Sequence, residues 1–570
     1  MFRIAALHFS CLVCLWSLCL NGTGLSEDRP ALEPAVEALR QALNNPARTL
    51  LKGDSQLAKE YKKLASSADR EKFILERHDR IIGPFAQAVQ GLPQLRQAIL
   101  LEEWPQERLQ ADQRIVKLRD DLVQRFIQET RNVLKTGPEE KKLAALAMIS
   151  QTAVRVDSVG SPNGIGRILE PDVVELMKTE QAARVRESAA RTLGEMFPDP
   201  ERAAEALGKL LKSEVAGDRR AAAAGLNNLV RPLAQPKGPL SPIEINQSII
   251  SRTGAPVLPF ADRGLADVDA AVRRNASEVI RHVAQAVLVY LPRTDTAEER
   301  AQLRKVCIEF LPLLEIMKER VQALSRNLND ADIDVCLAKN AALEEVANVR
   351  LELIDVLELG PTAQPGQDPL RDSLREAAPA LAKKLDHADV RVRLASLYAL
   401  ESLATEAVPA IDALVTASKD KNSFVRWGVA RVLGKIAPDG AVKAVPALAT
   451  LADDENGDVC FSAVDALRRY GPAAAPAVPA LARMTKRANQ DLRRLAIQAL
   501  RALGPKAGPA IPELIVALSD KDSEVRGAAA GALGTVGVST PATVDALVQA
   551  LDDSAPDVRV AASDALMSLK

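Results

Sequence analysis

The chain has 570 residues, with 74 basic and 75 acidic side chains, and a formal net charge of −1. Because the two signs are interspersed and nearly balanced, binding of nucleic acid through bulk positive charge is not expected. Aromatic residues make up only 3% of the chain. A low aromatic content together with abundant alanine is typical of thin, closely packed helix layers, and an array of stacked repeats grows without the size limit of a single core.

The first 24 residues have the composition of a secretory signal peptide. Arg3 precedes an apolar run over residues 4–20, and the small residues Gly22 and Gly24 follow. A basic residue, an apolar core and small residues before the cleavage position are what signal peptidase recognises. We predict a cleaved signal peptide over residues 1–24, a periplasmic or secreted protein, and no membrane span after cleavage.

Two other interpretations of this N-terminal segment stay open. An apolar run of 17 residues approaches the lower limit for a helix that spans a bilayer, so an uncleaved anchor is one alternative. Lipid attachment at Cys19 is the other, although the residues before it fit a lipoprotein signal poorly.

Residues 25–137 are predicted to form an N-terminal helical region without a clear repeat. Pro105 begins a long amphipathic stretch that ends before Gly137 and Pro138. Proline is tolerated in the first turn of a helix, and glycine followed by proline ends one. We expect this region to cover the apolar face of the first repeat, which would otherwise meet water.

Residues 138–290 contain irregular copies of one phrase, an apolar residue followed by arginine and then alanines. Copies begin at Val185, Asp218 and Val272, each directly followed by an arginine. An insertion over residues 231–260 carries six prolines and is predicted to be a long exposed loop.

Residues 291–370 are predicted to hold a long helical hairpin, a degenerate repeat and a linker. The first helix follows a capping box at Thr296 and Glu299, and the second runs from about Asp332 to Leu359. We expect the hairpin to project from the molecule or brace it. A degenerate copy of the phrase begins at Val349, and residues 361–370 are the linker to the next region.

Residues 371–570 contain six regular repeats at intervals of 33 or 34 residues. Counted from each opening residue, apolar or small residues recur at positions 0, 3, 4, 7, 8 and 11, which places them on one face of a helix. Glycine ends this helix, and a second helix begins near a proline, so each unit is a helical hairpin. The opening residues are Val392, Val425, Val459, Leu492, Val525 and Val558.

The repeated phrase resembles the HEAT family, and most closely the short HEAT-like repeats first named from bilin lyases. The resemblance covers residues 375–570, where an arginine follows the opening residue in five of six repeats. It implies an all-α fold, an α-solenoid with an irregular helical N-terminal half. In HEAT-like proteins this arginine pairs with an aspartate of an inter-helix loop, and the matching loop aspartates here are Asp420, Asp520 and Asp553. Because Cys460 replaces the arginine in the third repeat, we expect an interruption there.

No residue pattern predicts an enzyme, a cofactor or a metal site. Some HEAT-like enzymes hold two irons with repeated His-Glu pairs, but the chain has only four histidines and none is followed by glutamate. Phosphate loops, nucleophile elbows and zinc spacings are absent from the sequence. Beyond the signal, Cys307 and Cys336 lie on the two predicted long helices, where a disulfide is geometrically feasible, but buried apolar thiols are the favoured interpretation.

The partner-binding surface is predicted on the second helix of each repeat, which lines the concave side in HEAT proteins. Large apolar side chains and arginines stand there where polar residues are expected, and aromatic side chains with arginine are typical of binding hot spots. Packing against neighbouring repeats and exposure without a role are the alternatives. An acidic or amphipathic peptide is the favoured ligand. The predicted site residues are Tyr398, Trp427, Arg431, Phe461, Arg468, Arg494 and Arg501.

Together these patterns predict an exported, non-catalytic scaffold that binds a protein or peptide of unknown identity through its concave face. Two alternatives remain: a structural envelope component that self-associates through an end repeat, and a regulatory subunit of an exported enzyme.

Overall fold

The computed structural model describes residues 124, 126–156, 165–196, 198–234, 243–289, 297–359 and 367–569. Across these residues the secondary structure is helical, without a strand. The predicted signal peptide and most of the predicted N-terminal region lie outside them. The helices before the regular repeats are α1 (Glu139–Val156), α2 (Ile165–Thr179), α3 (Ala183–Glu195), α4 (Pro200–Leu210), α5 (Ala216–Ala234), α6 (Ile243–Leu265), α7 (Ala270–Val289), α8 (Ala297–Arg326) and α9 (Ile333–Leu357).

The regular repeats contribute twelve more helices to the described part of the chain. Three short 3-10 helices connect a second helix to the next first helix, at Ala404–Ala410, Gly471–Ala477 and Gly504–Ala510, and a fourth, Lys383–Asp386, follows the first helix of the first regular repeat. The α-helices are α10 (Arg371–Ala382), α11 (Val390–Leu403), α12 (Ile411–Ala417), α13 (Ser423–Ile436), α14 (Ala441–Leu451), α15 (Gly457–Tyr470), α16 (Val478–Met484), α17 (Gln490–Leu503), α18 (Ile511–Ala517), α19 (Ser523–Val536), α20 (Pro541–Ala550) and α21 (Pro556–Ser568).

The chain divides into two compact units. One consists of the residues up to Pro232 together with Ser248–Phe260, and the other of Leu233–Gln247 together with Ala261–Lys570. In the first unit α3 packs against α1 and α2. The phrase predicted at Val185 does open a helix, with that side chain fully buried.

In the second unit the helices form two layers. The second helices of successive repeats (α7, α9, α11, α13, α15, α17, α19 and α21) each pack against the next, and the first helices line up beside them. The six predicted opening residues are buried, all at 7% exposure or less. The prediction of stacked helical hairpins is therefore confirmed.

The prediction of an exposed loop over residues 231–260 is wrong for those of its residues that the structure describes. Residues 243–265 form the single helix α6, with Pro256 and Pro259 inside it. Each internal proline removes a backbone hydrogen bond and costs about 3 kcal/mol. The helix forms nevertheless because it buries an apolar stripe, namely Ile250, Val257, Leu258, Ala261 and Leu265.

The two long helices predicted over residues 291–370 are present, but they do not project from the stack. At 1.5 Å per residue the 30 residues of α8 span about 45 Å. Helix α9 packs between α7 and α11, and α8 packs against α10, so the pair is an elongated repeat. The repeat start predicted at Val349 is also wrong, because this residue lies inside α9, and Val335 occupies the opening position.

Local signals begin and end the second helices. In five regular repeats an Asp or Asn side chain three residues before the opening residue accepts hydrogen bonds from the first turn. Twelve residues after the opening residue, Gly471 and Gly504 adopt φ of +52° and +58°. Ala404 adopts φ +51° at the equivalent position, which is a strained conformation for a residue with a Cβ.

No helix of the described residues is long and apolar enough to cross a membrane.

Candidate functional site

A ladder of arginine–aspartate pairs sets the spacing of the second helices. Arg493 donates from Nε and Nη2 to the two carboxylate oxygens of Asp520 in the following loop, at 2.7 and 2.8 Å. Its Nη1 also donates to the carbonyls of Arg487 and Ala488 in its own loop, at 3.0 and 2.9 Å. Each such rung therefore ties the start of one helix to two consecutive loops.

The ladder predicted at Asp420, Asp520 and Asp553 is confirmed and extends further. Arg526 holds Asp553 with two bonds of 2.7 and 2.8 Å and lowers the pKa of that carboxyl to about 2. The sequence interpretation missed Asp454, which is 2.6 Å from Arg426. In the second unit the pairs of the ladder are Arg273–Asp330, Arg393–Asp420, Arg426–Asp454, Arg493–Asp520 and Arg526–Asp553, and the first unit contains the similar pair Arg186–Asp218.

Four aromatic side chains on neighbouring second helices keep exposed surface. We call this set of residues the aromatic face: Tyr398, Phe424, Trp427 and Phe461. Tyr398 is 40% exposed on α11 and Phe461 45% exposed on α15. On α13 between them, Phe424 is 66% exposed and Trp427 is half-buried. The sequence interpretation missed Phe424, although its position three residues before Trp427 places it on the same helix face.

Other apolar residues of these helices pack inside the stack. Leu397 and Val464 are 1% and 0% exposed. A Cβ built on Gly428 would lie 3.0 Å from the Leu397 side chain, so the two helices approach closely at this glycine. Intramolecular packing therefore accounts for these residues, while the four residues of the aromatic face keep exposed surface.

The arginines predicted in the strip are mostly neutralised by carboxylates of this chain. Arg431 lies 2.6 Å from Glu401 of α11 and stacks over the Trp427 ring at 4.4 Å. Arg468 lies 2.7 Å from Asp465.

Farther along the stack, one of the two predicted arginines is paired with carboxylates and the other is not. Arg494 pairs with Asp491 and with Glu524 of the next helix. Arg501 donates to the Thr535 hydroxyl at 3.3 Å and pairs with no carboxylate of the described residues. Of the four predicted arginines, Arg501 alone therefore has no carboxylate partner among the described residues.

A pair of carboxylates lies on α9, beyond the other end of the aromatic face. Glu345 accepts a hydrogen bond from the Gln285 side chain at 2.7 Å. Burial, followed by the neighbouring charges of Glu345 and Glu401, raises the pKa of Glu344. Within the described part of the chain, neither Glu344 nor Glu345 forms an ion pair.

Comparison with known families identifies the repeats. A family model described as HEAT repeats matches residues 378–468 and 477–567. The C-terminal part of this chain belongs to the HEAT-repeat family. The finer likeness to the bilin-lyase type of repeat stays a prediction. No curated protein matches the sequence.

Two solved structures resemble the chain weakly. One is a crystal structure of an engineered protein, with 20% identity over 44% of this chain and 96% of that chain and a TM-score of 0.26. The other is Kap121p bound to Nup53p, with 13% identity over 80% of this chain and 55% of that chain and a TM-score of 0.28.

The predicted interruption of the HEAT ladder at Cys460 is confirmed. Its thiol donates to the Asp454 carbonyl at 2.9 Å, which takes the place of the arginine's bond to its own loop. In the following loop, Arg487 stands where the other loops have the paired aspartate. Both members of the rung are thus replaced, which avoids a partly buried carboxylate without a cation.

The elongated repeat shows the same double replacement. Cys336 stands in the arginine position, and its thiol donates to the Asp330 carbonyl at 3.3 Å. In the next loop His387 replaces the aspartate, and its Nδ1 accepts from the Asp389 amide at 3.1 Å as the aspartates do from theirs.

The described cysteines lie in the buried core and form no disulfide. The three described cysteines are free and buried, which confirms the interpretation as apolar thiols over a Cys307–Cys336 disulfide. Burial raises the pKa of Cys307 to about 12. Among the described residues no group of three or more histidine, cysteine or acidic side chains is placed to hold a metal ion.

Proposed function

We propose that this chain is an exported, non-catalytic scaffold that binds a protein partner through the aromatic face of its HEAT repeats. The observation that carries the proposal is the exposure of Tyr398, Phe424 and Phe461 on three neighbouring helices. Aromatic residues are only 3% of the chain, so this concentration on one surface is unusual. Aromatic side chains are enriched at hot spots because they bury a large area with few rotatable bonds.

The area of the aromatic face limits the affinity that it alone provides. A fully buried aromatic side chain removes about 150–250 Å² from water, so three side chains that are about half exposed offer roughly 225–375 Å². At about 25 cal/mol per Å² this gives roughly 6–9 kcal/mol. Association costs about 4–15 kcal/mol, so tight binding requires polar contacts beside the aromatic face.

Affinity capture with the full chain tests this proposal. The double variant Trp427→Ala, Phe461→Ala is compared with wild type and with the control Val442→Ala, Val516→Ala. The control residues are 90% and 63% exposed but lie on first helices, away from the aromatic face. We expect the first variant to lose specific partners and the control to retain them. Equal recovery by all three proteins would contradict the proposal.

Export is proposed on the strength of Arg3 and the apolar run over residues 4–20. Fractionation of cells that express the full chain should recover a shortened protein outside the cytoplasm. A chain that stays cytoplasmic at full length would contradict export, and a full-length chain in the membrane fraction would identify an uncleaved anchor.

Self-association is a second candidate function, because α21 exposes two apolar side chains. Val560 is 59% exposed and Met567 is 75% exposed. Sedimentation velocity at increasing protein concentration tests this idea. A sedimentation coefficient that rises with concentration and is reduced by Met567→Ser supports it, whereas a monomer at every concentration excludes it.

A further inference from the structure

Side chains of opposite charge lie toward the two ends of the aromatic face, and the basic ones share α15 with Phe461. Within the stack of second helices the order is α9, α11, α13, α15 and α17. The acidic flank, defined by Glu344 and Glu345, is on α9, and the basic flank, defined by Arg468, Arg469 and Arg501, is on α15 and α17. The surface is therefore polarised along the axis of the stack.

Each flank carries more charge than its ion pairs among the described residues neutralise. Glu344 and Glu345 lie beside each other and beside Glu401, and only Glu401 has a cation partner among the described residues. On the basic flank, Arg468 and Arg469 share one carboxylate, at 2.7 and 3.1 Å from Asp465.

Arg501, also on the basic flank, has a hydroxyl partner and no carboxylate among the described residues. Two flanks of opposite charge attract the complementary charges of a ligand and fix its register.

The chain already shows how a guanidinium binds on this surface. Arg431 pairs with the Glu401 carboxylate and lies over the Trp427 ring. A cation gains from both contacts, since carboxylate pairing and stacking on an indole are compatible in one geometry. Glu344 lies on α9, which packs against the α11 helix of Glu401, and it has no cation partner among the described residues, so it offers the carboxylate without the cation.

Helix spacing sets the length of the complementary ligand. Packed helices lie about 8–10 Å apart, so the four steps from α9 to α17 cover roughly 32–40 Å. An extended chain advances about 3.3–3.6 Å per residue, which corresponds to roughly 10–12 residues.

We propose that the aromatic face binds an extended peptide segment of about 10–12 residues that is basic at one end, apolar in the middle and acidic at the other. The segment binds in one orientation, with its basic end on α9 and its acidic end on α17. This inference rests on the proposed function and adds the chemical class and the direction of the partner.

Synthetic 12-residue peptides test the charge pattern by fluorescence anisotropy with the full chain. The probe has two lysines, a Phe-Leu-Phe centre and two aspartates, separated by Gly-Ser spacers. The matched peptide has the same composition but alternating charges. We expect the polarised peptide to bind at least about threefold more tightly, because each exposed ion pair contributes up to a few-fold. Equal affinity, or no binding of either peptide, overturns the inference.

Variants of the two flanks test each end separately. Glu344→Gln with Glu345→Gln should weaken the polarised peptide about threefold and leave a peptide with serines in place of the lysines unchanged. Arg468→Gln with Arg501→Gln should do the same for the aspartate end. Loss of affinity for both peptides in both variants would mean that the charges act without regard to position, which contradicts the inference.

A photo-crosslinker next to one end of the peptide tests the orientation. A crosslinker at the lysine end should label α9, and one at the aspartate end should label α17. Labelling of both helices from either end refutes a single orientation. If the Trp427→Ala, Phe461→Ala variant loses its captured partners while the peptides show no preference, the scaffold function stands and this inference fails.

Discussion

Replacement of Arg493 by methionine is expected to weaken the repeat stack locally by about 3 kcal/mol, since loss of one partner of a buried pair costs about 3–5 kcal/mol. The arginine and Asp520 side chains are only 6% and 13% exposed. The substitution removes two bonds to Asp520 and two to loop carbonyls. Asp520 keeps its bond from the Asp522 amide at 2.9 Å, which places the expected cost near the lower limit.

Removal of the aspartate as well should recover part of this loss. In the double variant Arg493→Met, Asp520→Asn no uncompensated carboxylate remains, so its cost should be below the sum of the single variants by about 1–3 kcal/mol. The chain itself combines a cysteine with a residue other than aspartate at both interrupted rungs, Cys460 with Arg487 and Cys336 with His387.

Native-state hydrogen exchange of the amides in residues 519–525 is the appropriate assay. Stacked repeats interact mainly with their neighbours, so local opening free energies are more informative than one global transition. Arg559→Met is the matched control, because Arg559 bonds only to loop carbonyls, at 2.8 and 3.2 Å. Additive costs in the double variant, or an equal loss in the Arg559 control, would refute the role assigned to the rungs.

Three further predictions follow from individual residues. Gly504→Ala should lower the free energy of unfolding by about 1–3 kcal/mol through backbone strain alone, since φ is +58° and nothing lies within 4 Å of an added Cβ. Gly508→Ala is the control, because an added Cβ is equally uncrowded there, and it should be neutral or stabilising in the same thermal unfolding assay. The pKa of Asp553 is about 2 in the folded chain against an ordinary 3.8, so its contribution to the free energy of unfolding is complete above about pH 4 and is lost as the pH falls towards 2. Asp553→Asn should remove this loss of stability from unfolding curves measured at decreasing pH. Cys307, buried and with a pKa of about 12, should react with iodoacetamide at pH 8 only after unfolding, and labelling of the native protein would contradict the described packing.

Local signals, copied from repeat to repeat, were enough to predict the hairpins of the last six repeats. An apolar residue such as Val525, a helix-capping Asp522 three residues earlier and Gly537 twelve residues later all act within one hairpin. The resemblance to HEAT-like repeats predicted the ladder, whose aspartates in these repeats follow their arginines by 27 or 28 residues.

Which side chains of the second helices remain exposed to a partner depends on the packing of neighbouring repeats. Leu397 and Tyr398 are neighbours in the sequence, yet the first is buried and the second is exposed. Neutralisation of Arg431 depends on Glu401, 30 residues away on the preceding helix. Helical periodicity alone does not predict which of these side chains are exposed, because their burial depends on how closely the adjacent helix approaches.

The irregular half depended still more on contacts between distant residues. Arg350, which follows the predicted opening residue Val349, is buried inside α9 beside Asp368 and Glu406, at 2.9 and 3.1 Å. In α6, burial of an apolar stripe overrides two prolines that locally favour a loop. Short-range patterns fail at these places because the free energy that stabilises the helices comes from packing partners that the local sequence does not specify.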